Sequence, residues 1–528
     1  MFSKKILIPL FFVALFAACD TTKKTSASTT DDGLIEVTFL QLNDVYEISP
    51  LSDGTGGMAR VAALRKELLA KNPNTFTILS GDFISPSVIG TLKYEGKRIR
   101  GRQMVDVMNA AGIDWVVFGN HEFDYDDYND LQARIDESSF TWLAANARFQ
   151  PDPKQQPVRF FKNKNGVKTD CPDEQTLVVK DADGTIVKLG LFGVLINTGR
   201  KPWVTYTDWF EAAKNSRENL RKQNADICVG LTHLAAADDI KLAGMLPDVP
   251  LFMGGHDHEN QRHVVGKSVV AKADANAKTA YVHTLRYNKK TKTSTLTSEL
   301  KTIDGKIADD PVTAATIAKW EKIKNESLAS SGFNANTVVV KLSETLDCRE
   351  TTIRFKQAPV GTILNEAMVA VAKKNPDCAF FNSGSIRIDD QLTGTLTEID
   401  IVRMLPFGGG ISEVDMKGAL LLKTLEAHAG NVGLGGYLQL WQLTSSDGKW
   451  LVKGQPIEPQ KTYRVVMSDF LLTGAEQNMG FLKADITDAA TGTTNNPDVL
   501  KIQRADPKNK NDLRADVRHA LIAYWRKE

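Results

Sequence analysis

The chain has 528 residues, and at roughly 100 to 200 residues per domain it needs more than one core. With 65 Lys and Arg against 64 Asp and Glu, no global basic field advertises a nucleic-acid polymer as partner. A composition of 42% hydrophobic and 24% charged residues excludes wholesale disorder, a collagen-like repeat and a disulfide-dense scaffold.

In chain order, Lys4 and Lys5 precede a 13-residue apolar stretch from Ile6 to Ala18. It is too short to span a bilayer and ends in small residues, the pattern of a secretory signal over residues 1–18. Phe16-Ala17-Ala18-Cys19 resembles a bacterial lipobox, with Phe16 where Leu is more usual. Cys19 is therefore expected to be acylated, anchoring an exported lipoprotein that faces the periplasm or cell surface. Residues 19–34 are polar and read as a flexible tether.

Beyond the tether, apolar runs alternate with stretches of helical period. Strands are expected at Ile35–Leu42, Thr75–Leu79, Trp115–Phe118, Val187–Val194, Ile227–Leu231 and Leu251–Met253, with helices at Ala59–Ala70 and Gln103–Ala111. This alternation predicts an α/β layer architecture. Val269–Ala271, Thr279–Tyr287 and Thr295–Leu300 read as further strands, the last two as a hairpin around Lys289–Thr293. Asp310–Ser330, with Pro311 near its start, predicts a helix linking two domains. A second α/β region fills Val338 onward and ends in a helix over Asp512–Trp525. Cys171, Cys228, Cys348 and Cys378 form no CxxC pattern; Cys228 reads as a buried thiol, and Cys348 and Cys378 are candidates for a disulfide.

Five polar clusters follow the predicted strands: Asn43-Asp44-Val45-Tyr46, Gly81-Asp82, Gly119-Asn120-His121-Glu122-Phe123-Asp124, Thr232-His233 and Gly254-Gly255-His256-Asp257-His258. Open α/β sheets place their ligand sites at such strand ends. Alone, a Gly-Asp dipeptide is an ordinary turn, and a His-x-His loop is often incidental. Jointly the clusters gather four of the eight histidines, which argues for one shared site. Imidazole suits divalent transition metals, and a carboxylate can bridge two ions. Two metals about 3.5 to 4 Å apart clamp a phosphoryl group and lower the pKa of water between them.

These motifs resemble the metallophosphatase superfamily, and specifically the bifunctional two-domain 5'-nucleotidase family, over about residues 35 to 528. The resemblance implies an N-terminal β-sandwich flanked by helices, a four-layer αββα domain over 35–308. A linker helix over 309–334 and a C-terminal α/β substrate-binding domain over 335–528 follow. It further implies two divalent ions of the Zn, Mn, Co or Mg type. One takes Asp44, Asp82 and His258, the other Asp82, Asn120, His233 and His256, with Asp82 as the bridge. His121 would face the phosphoryl oxygens, and Asp124 would hold its ring. The chain departs from the family at Tyr46, where a metal-binding His is usual. A neutral phenol is a poor ligand, so Tyr46 is expected beside the first site, leaving that site the weaker of the two.

Asn382-Ser383-Gly384-Ser385-Ile386-Arg387 and Leu405-Pro406-Phe407-Gly408-Gly409 resemble the family's nucleoside-pocket motifs. Gly435-Gly436-Tyr437-Leu438-Gln439 and Met479-Gly480-Phe481 resemble two more of its segments. The resemblance implies that Phe407 and Phe481 stack on a base while Asn382, Arg387 and Arg354 make polar contacts. Glu476-Gln477-Asn478-Met479 departs from the usual glycines and acidic residue before the second ring. The expectation is an exported phosphoesterase acting on nucleoside 5'-phosphates or related nucleotides, bound between two domains. A thiosulfohydrolase of the same fold and a non-catalytic nucleotide-binding lipoprotein are the rivals.

Overall fold

A computed structural model describes residues 31–198, 201–388, 390–506, 509 and 511–527. The expected signal, Cys19 and most of the tether lie outside the described residues.

The N-terminal half is built on two six-stranded sheets. In the first, Leu34–Leu42 runs parallel to Thr75–Leu79, which is parallel to Trp115–Val117, while the hairpin of Thr279–Asn288 and Thr293–Thr302 closes the other edge. In the second, Ile186–Leu195, Ile227–His233, Leu251–Gly254 and Ser268–Lys272 run parallel. Alternating side chains of the two sheets meet between them: Val37, Phe39, Ile78 and Val117 face Leu191, Val229, Leu231 and Met253, all buried. Burying this apolar surface contributes roughly 25 cal/mol per Å2 and holds the two sheets face to face, while a larger core lies on the outer face of the first sheet.

The outer face of the first sheet is covered by helices Met58–Lys71 and Arg102–Ala111, through Val61, Met104 and Val107. Helices Trp209–Lys222 and Ala236–Met245 cover the second, through Ala213, Leu220 and Leu242. The result is the helix-sheet-sheet-helix layering implied by the motifs. Helix Pro311–Ser330 starts as its sequence predicts: Asp310 accepts the Thr313 N–H at 3.0 Å and Pro311 occupies the first turn. It is more than a connector, because Ile317 and Trp320 pack into the N-terminal core while Leu328 joins the core of the following half.

That half holds a seven-stranded sheet in the order Leu438–Trp441, Cys378–Asn382, Thr462–Ser468, Ile411–Lys417, Val499–Gln503, Thr493–Thr494 and Ile486–Asp488. Helices Pro359–Ala370 and Val517–Trp525 pack on one face and Gly418–Gly430 on the other. The last helix begins later than the sequence predicts. Asp512 caps a short 3-10 turn, and only Asp516, accepting the Arg518 N–H at 2.9 Å, starts the helix proper. The four cysteines among the described residues are buried thiols, and no disulfide joins Cys348 to Cys378. No helix among the described residues is long and apolar enough to cross a membrane.

Sheet register is what builds the site. Leu42 pairs with Leu79 in the first sheet, and Leu195 with His233 and Thr232 with Gly254 in the second. The carboxyl ends of the parallel strands therefore share one rim, and the five polar clusters converge there.

Candidate metal centre

Backbone crowding comes first. Asp44, Asp82 and His256 take left-handed conformations at φ 52, 56 and 80°, which non-glycine residues adopt only when their surroundings hold them. A Cβ on Gly119 would lie 2.1 Å from Asp82 Oδ1, and one on Gly255 2.1 Å from the Ser80 carbonyl oxygen. Only glycine lets these loops approach so closely.

Asp82, His233 and His256 present ligand atoms within 4.8 Å of one another. Asp82 Oδ2 lies 3.1 Å from His233 Nε2, whose other neighbour is Asn120 Oδ1 at 3.2 Å. His233 Nδ1 donates to the Ser80 carbonyl at 2.7 Å, which orients the ring so that Nε2 faces Asp82 and Asn120. Burial disfavours its charge, but Asp82 and Asp44 outweigh burial and hold its pKa up at about 9. Across Asp82 sits a second group. Asp44 Oδ1 is 3.4 Å from His258 Nε2, and the Tyr46 hydroxyl lies 3.2 Å from His258 Nε2 and 3.4 Å from Asp82 Oδ2. Asp44 Oδ1 is buried and makes no hydrogen bond, whereas Oδ2 accepts from Asn43 Nδ2 and the His256 N–H, each at 2.9 Å. A buried carboxylate oxygen aimed at an imidazole, beside a carboxylate and two further histidines, fits a divalent cation. Burial and the neighbouring His233 charge push the His256 pKa down to about 4, so it presents a neutral ring.

His121 stands beside this cluster. Its N–H donates to Asp82 Oδ1 at 2.8 Å, and its Nδ1 donates to Asp124 Oδ2 at 2.9 Å. Burial disfavours its charge, but Asp124 and Asp82 outweigh burial and push its pKa up to about 10. The two carboxylates thus favour the imidazolium form, with Nδ1–H held by Asp124. Burial alone would raise Asp124, yet His121 and Arg387 hold it well below the carboxylate range. Arg387 reaches it from the other half of the chain, Nη2 donating to Asp124 Oδ2 at 2.8 Å.

Around Arg387, Glu350 joins the guanidinium at 3.5 Å and also pairs with Arg354. Asn382 is buried and donates to Glu476 at 2.7 Å. Phe407 is 62% exposed and lines a shallow pocket with Ser85, Arg98, Arg100 and Tyr125 from the N-terminal half. Phe481 is partly buried against the C-terminal core, with the Lys423 ammonium 4.5 Å over its ring. The structure thus gathers Asp44, Tyr46, Asp82, Asn120, His121, Asp124, His233, His256 and His258 at one rim and brings Arg387 and Arg354 to it.

Other residues escaped sequence reasoning. Glu122 is buried and accepts the N–H groups of Asp82, Phe83, Ile84 and Gly119 at 2.6 to 3.2 Å, tying two loops together. Its burial, and then the Asp82 charge, raise its pKa to about 7. Asn276 accepts the Tyr46 N–H at 3.0 Å and donates its own N–H to the Asp44 carbonyl at 2.8 Å. Its sequence carries no signal for this role, whereas Glu122 sits visibly inside the Gly119–Asp124 cluster.

Comparison with known proteins bears on what this rim is. Residues 37–260 match the calcineurin-like phosphoesterase family and residues 338–483 the 5'-nucleotidase C-terminal domain. A 5'-nucleotidase of Bos taurus is 24% identical over 84% of this chain and 83% of its own. A 5'-nucleotidase precursor of Thermus thermophilus superposes with a TM-score of 0.65 at 19% identity, covering 93% of this chain and 96% of that one. A sulfate thiohydrolase of Thermus thermophilus superposes at 0.60 with 14% identity, covering 93% and 94%. The fold alone does not separate these two, but the matched C-terminal domain and the sequence relatives do. Calcineurin-like phosphoesterases use divalent metals, in keeping with the Asp82, His233 and His256 cluster. The chain belongs to the two-domain 5'-nucleotidase family of metallophosphoesterases, which are hydrolases.

Proposed function

We propose that the chain hydrolyses nucleoside 5'-phosphates, with the phosphoryl group at the metal cluster and the nucleoside on the C-terminal half. Asp82, Asn120, His233 and His256 would hold one divalent ion, and Asp44, Asp82 and His258 a second, with Asp82 shared. When bound, such ions supply Lewis acidity toward phosphoryl oxygens and activate water for in-line attack. The chain's own groups do the rest. His121 offers Nε2–H to the charge that develops on the phosphoryl oxygens, and Asp124 keeps the ring charged and oriented. Arg354 and Arg387 supply planar cationic donors for phosphate, Phe407 and Phe481 offer stacking faces for the base, and Asn382 a polar contact. The observation that carries this reading is the 2.8 Å contact of Arg387 with Asp124: the nucleoside-pocket motif reaches the group that orients His121.

Hydrolysis of nucleoside 5'-phosphates and base-free phosphate esters, read as phosphate released, and of thiosulfonate substrates, read as sulfate released, each with Zn, Mn, Co and Mg, checks the proposal. Nucleoside 5'-phosphates are expected to be the fastest, and preferred thiosulfonate turnover would overturn it. Because Phe407 is exposed, its ring is free for a ligand. Phe407→Ala is expected to weaken nucleotide binding by about 1 to 3 kcal/mol, the range for a base stacked on an aromatic. A base-free ester should be unaffected, so an equal loss on both substrates would assign Phe407 to domain packing.

The Tyr46 phenol sits within hydrogen-bonding distance of two groups of the Asp44, Asp82 and His258 set. Tyr46→His places a neutral imidazole there, which binds a divalent ion without first losing a proton. Tighter retention of a second ion is expected, read by elemental analysis after dialysis. Equal, tight occupancy of two ions in the wild type and in Tyr46→Phe would overturn the view that this set is the weaker one. The basic, apolar and small-residue run ending in Cys19 supports an exported enzyme with a lipid anchor.

A further inference from the structure

We propose that Lys272 is a positioning residue that locks the two histidine-bearing loops of the second sheet into one arrangement through its buried ammonium. The inference rests on the metal reading of the cluster, and Lys272 touches neither substrate nor ligand atom.

Lys272 ends the strand Ser268–Lys272, beside Leu251–Gly254. A lysine closing the apolar run Val269-Val270-Ala271 would ordinarily turn outward to water. Here the side chain is fully buried and runs back beneath the rim. Gly254 makes room for it: a Cβ there would lie 2.9 Å from Lys272 Cε. The ammonium donates to the carbonyl of Leu234, the residue after His233, and at 2.8 Å to that of Gly255, the residue before His256. It also pairs with Asp257, which stands between His256 and His258, and at 2.9 Å with Asp239 on the helix that follows Leu234.

One cation therefore grips both loops. His233 leaves one strand, His256 and His258 leave the next, and Gly255, whose N–H donates to the Thr232 carbonyl at 2.9 Å, joins them by backbone. Asp44 holds the His256 N–H and the Ser80 carbonyl holds the His233 ring from the first sheet, and Lys272 adds the link from beneath that spans both loops. An ammonium has three donors and no acceptor, so it collects carbonyl and carboxylate oxygens that would otherwise repel one another below the site. An apolar side chain there would leave two buried carbonyls and a buried Asp239 without their partner. Groups behind ligands set ligand orientation and hence metal affinity.

The test uses the full chain and Co2+ as probe, since its d–d absorption reports coordination geometry. Lys272→Met combined with Asp239→Asn removes the cation together with its fully buried counter-charge, leaving no charge stranded in the core. Its melting midpoint in chelator is expected to fall modestly, because the Leu234 and Gly255 carbonyls lose their donor, while Co2+ affinity of the folded protein falls about 10- to 100-fold and the absorption envelope changes. Wild-type affinity and spectrum in this variant would overturn the proposal. So would a metal-free midpoint that collapses while the folded fraction binds Co2+ normally. Asp257→Asn is the second variant: its side chain is 30% exposed, so folding is not at stake, and it loosens only the grip on the His256 to His258 loop. It too should bind Co2+ several-fold more weakly, and unchanged affinity would count against Lys272 as strongly as the first result. Absence of Co2+ binding by the wild type would instead remove the metal reading itself, a failure visible before any variant is made.

Discussion

Asp82→Asn is expected to eliminate activity, lowering kcat/KM by at least about 10³-fold, because charge stabilisation worth several kcal/mol is lost. The reason lies in how the two oxygens are spent. Oδ1 accepts the His121 N–H at 2.8 Å, and Oδ2 faces His233 at 3.1 Å and the Tyr46 hydroxyl at 3.4 Å. An amide keeps the shape and can still accept from His121, so the backbone at φ 56° should survive. What it loses is the negative charge between two imidazole groups and the capacity to bridge two cations. Metal content should fall with activity, while the melting midpoint in chelator should change little. Stoichiometric metal together with retained turnover would show that Asp82 is not the bridge.

His121→Ala is expected to lower kcat by about 10² to 10³-fold, the cost of removing one preorganised donor from the developing charge. Metal content should be unchanged, since no ligand atom is removed. The carboxylate left behind is not stranded: Asp124 Oδ2 keeps the Ser85 hydroxyl and Arg387, each at 2.8 Å. Global stability should therefore hold, and the defect should appear in kcat more than in KM, since the donor acts on the transition state. A variant that loses its metal instead would reassign His121 as a ligand or a support for Asp82.

Both expectations depend on residues visible in the linear chain, and it is instructive which neighbours were not. The sequence by itself determined the alternation of strands and helices, the strand ends and the chemistry at those ends. Thr75–Leu79 was bounded as it stands in the structure, and Asp310 and Pro311 marked a helix start correctly, because period, capping and turn preferences are local. Edge elements were lost: Phe161–Lys164, Val167–Asp170 and Glu174–Lys180 carry mostly exposed or half-exposed residues, and without a buried face they leave no period to read. Placing Asp44 beside His258, Asp124 beside Arg387 and Lys272 beneath two loops was decided only by tertiary structure. Asp124 and Arg387 are 263 residues apart, and no local preference encodes such a meeting. It follows from parallel register, which carries the strand ends to one rim, and from two cores shared by a single helix, which bring the second half against that rim. Buried polar groups such as Glu122 and Lys272 then take partners chosen by burial, since an unpaired charge inside a protein is too costly to keep.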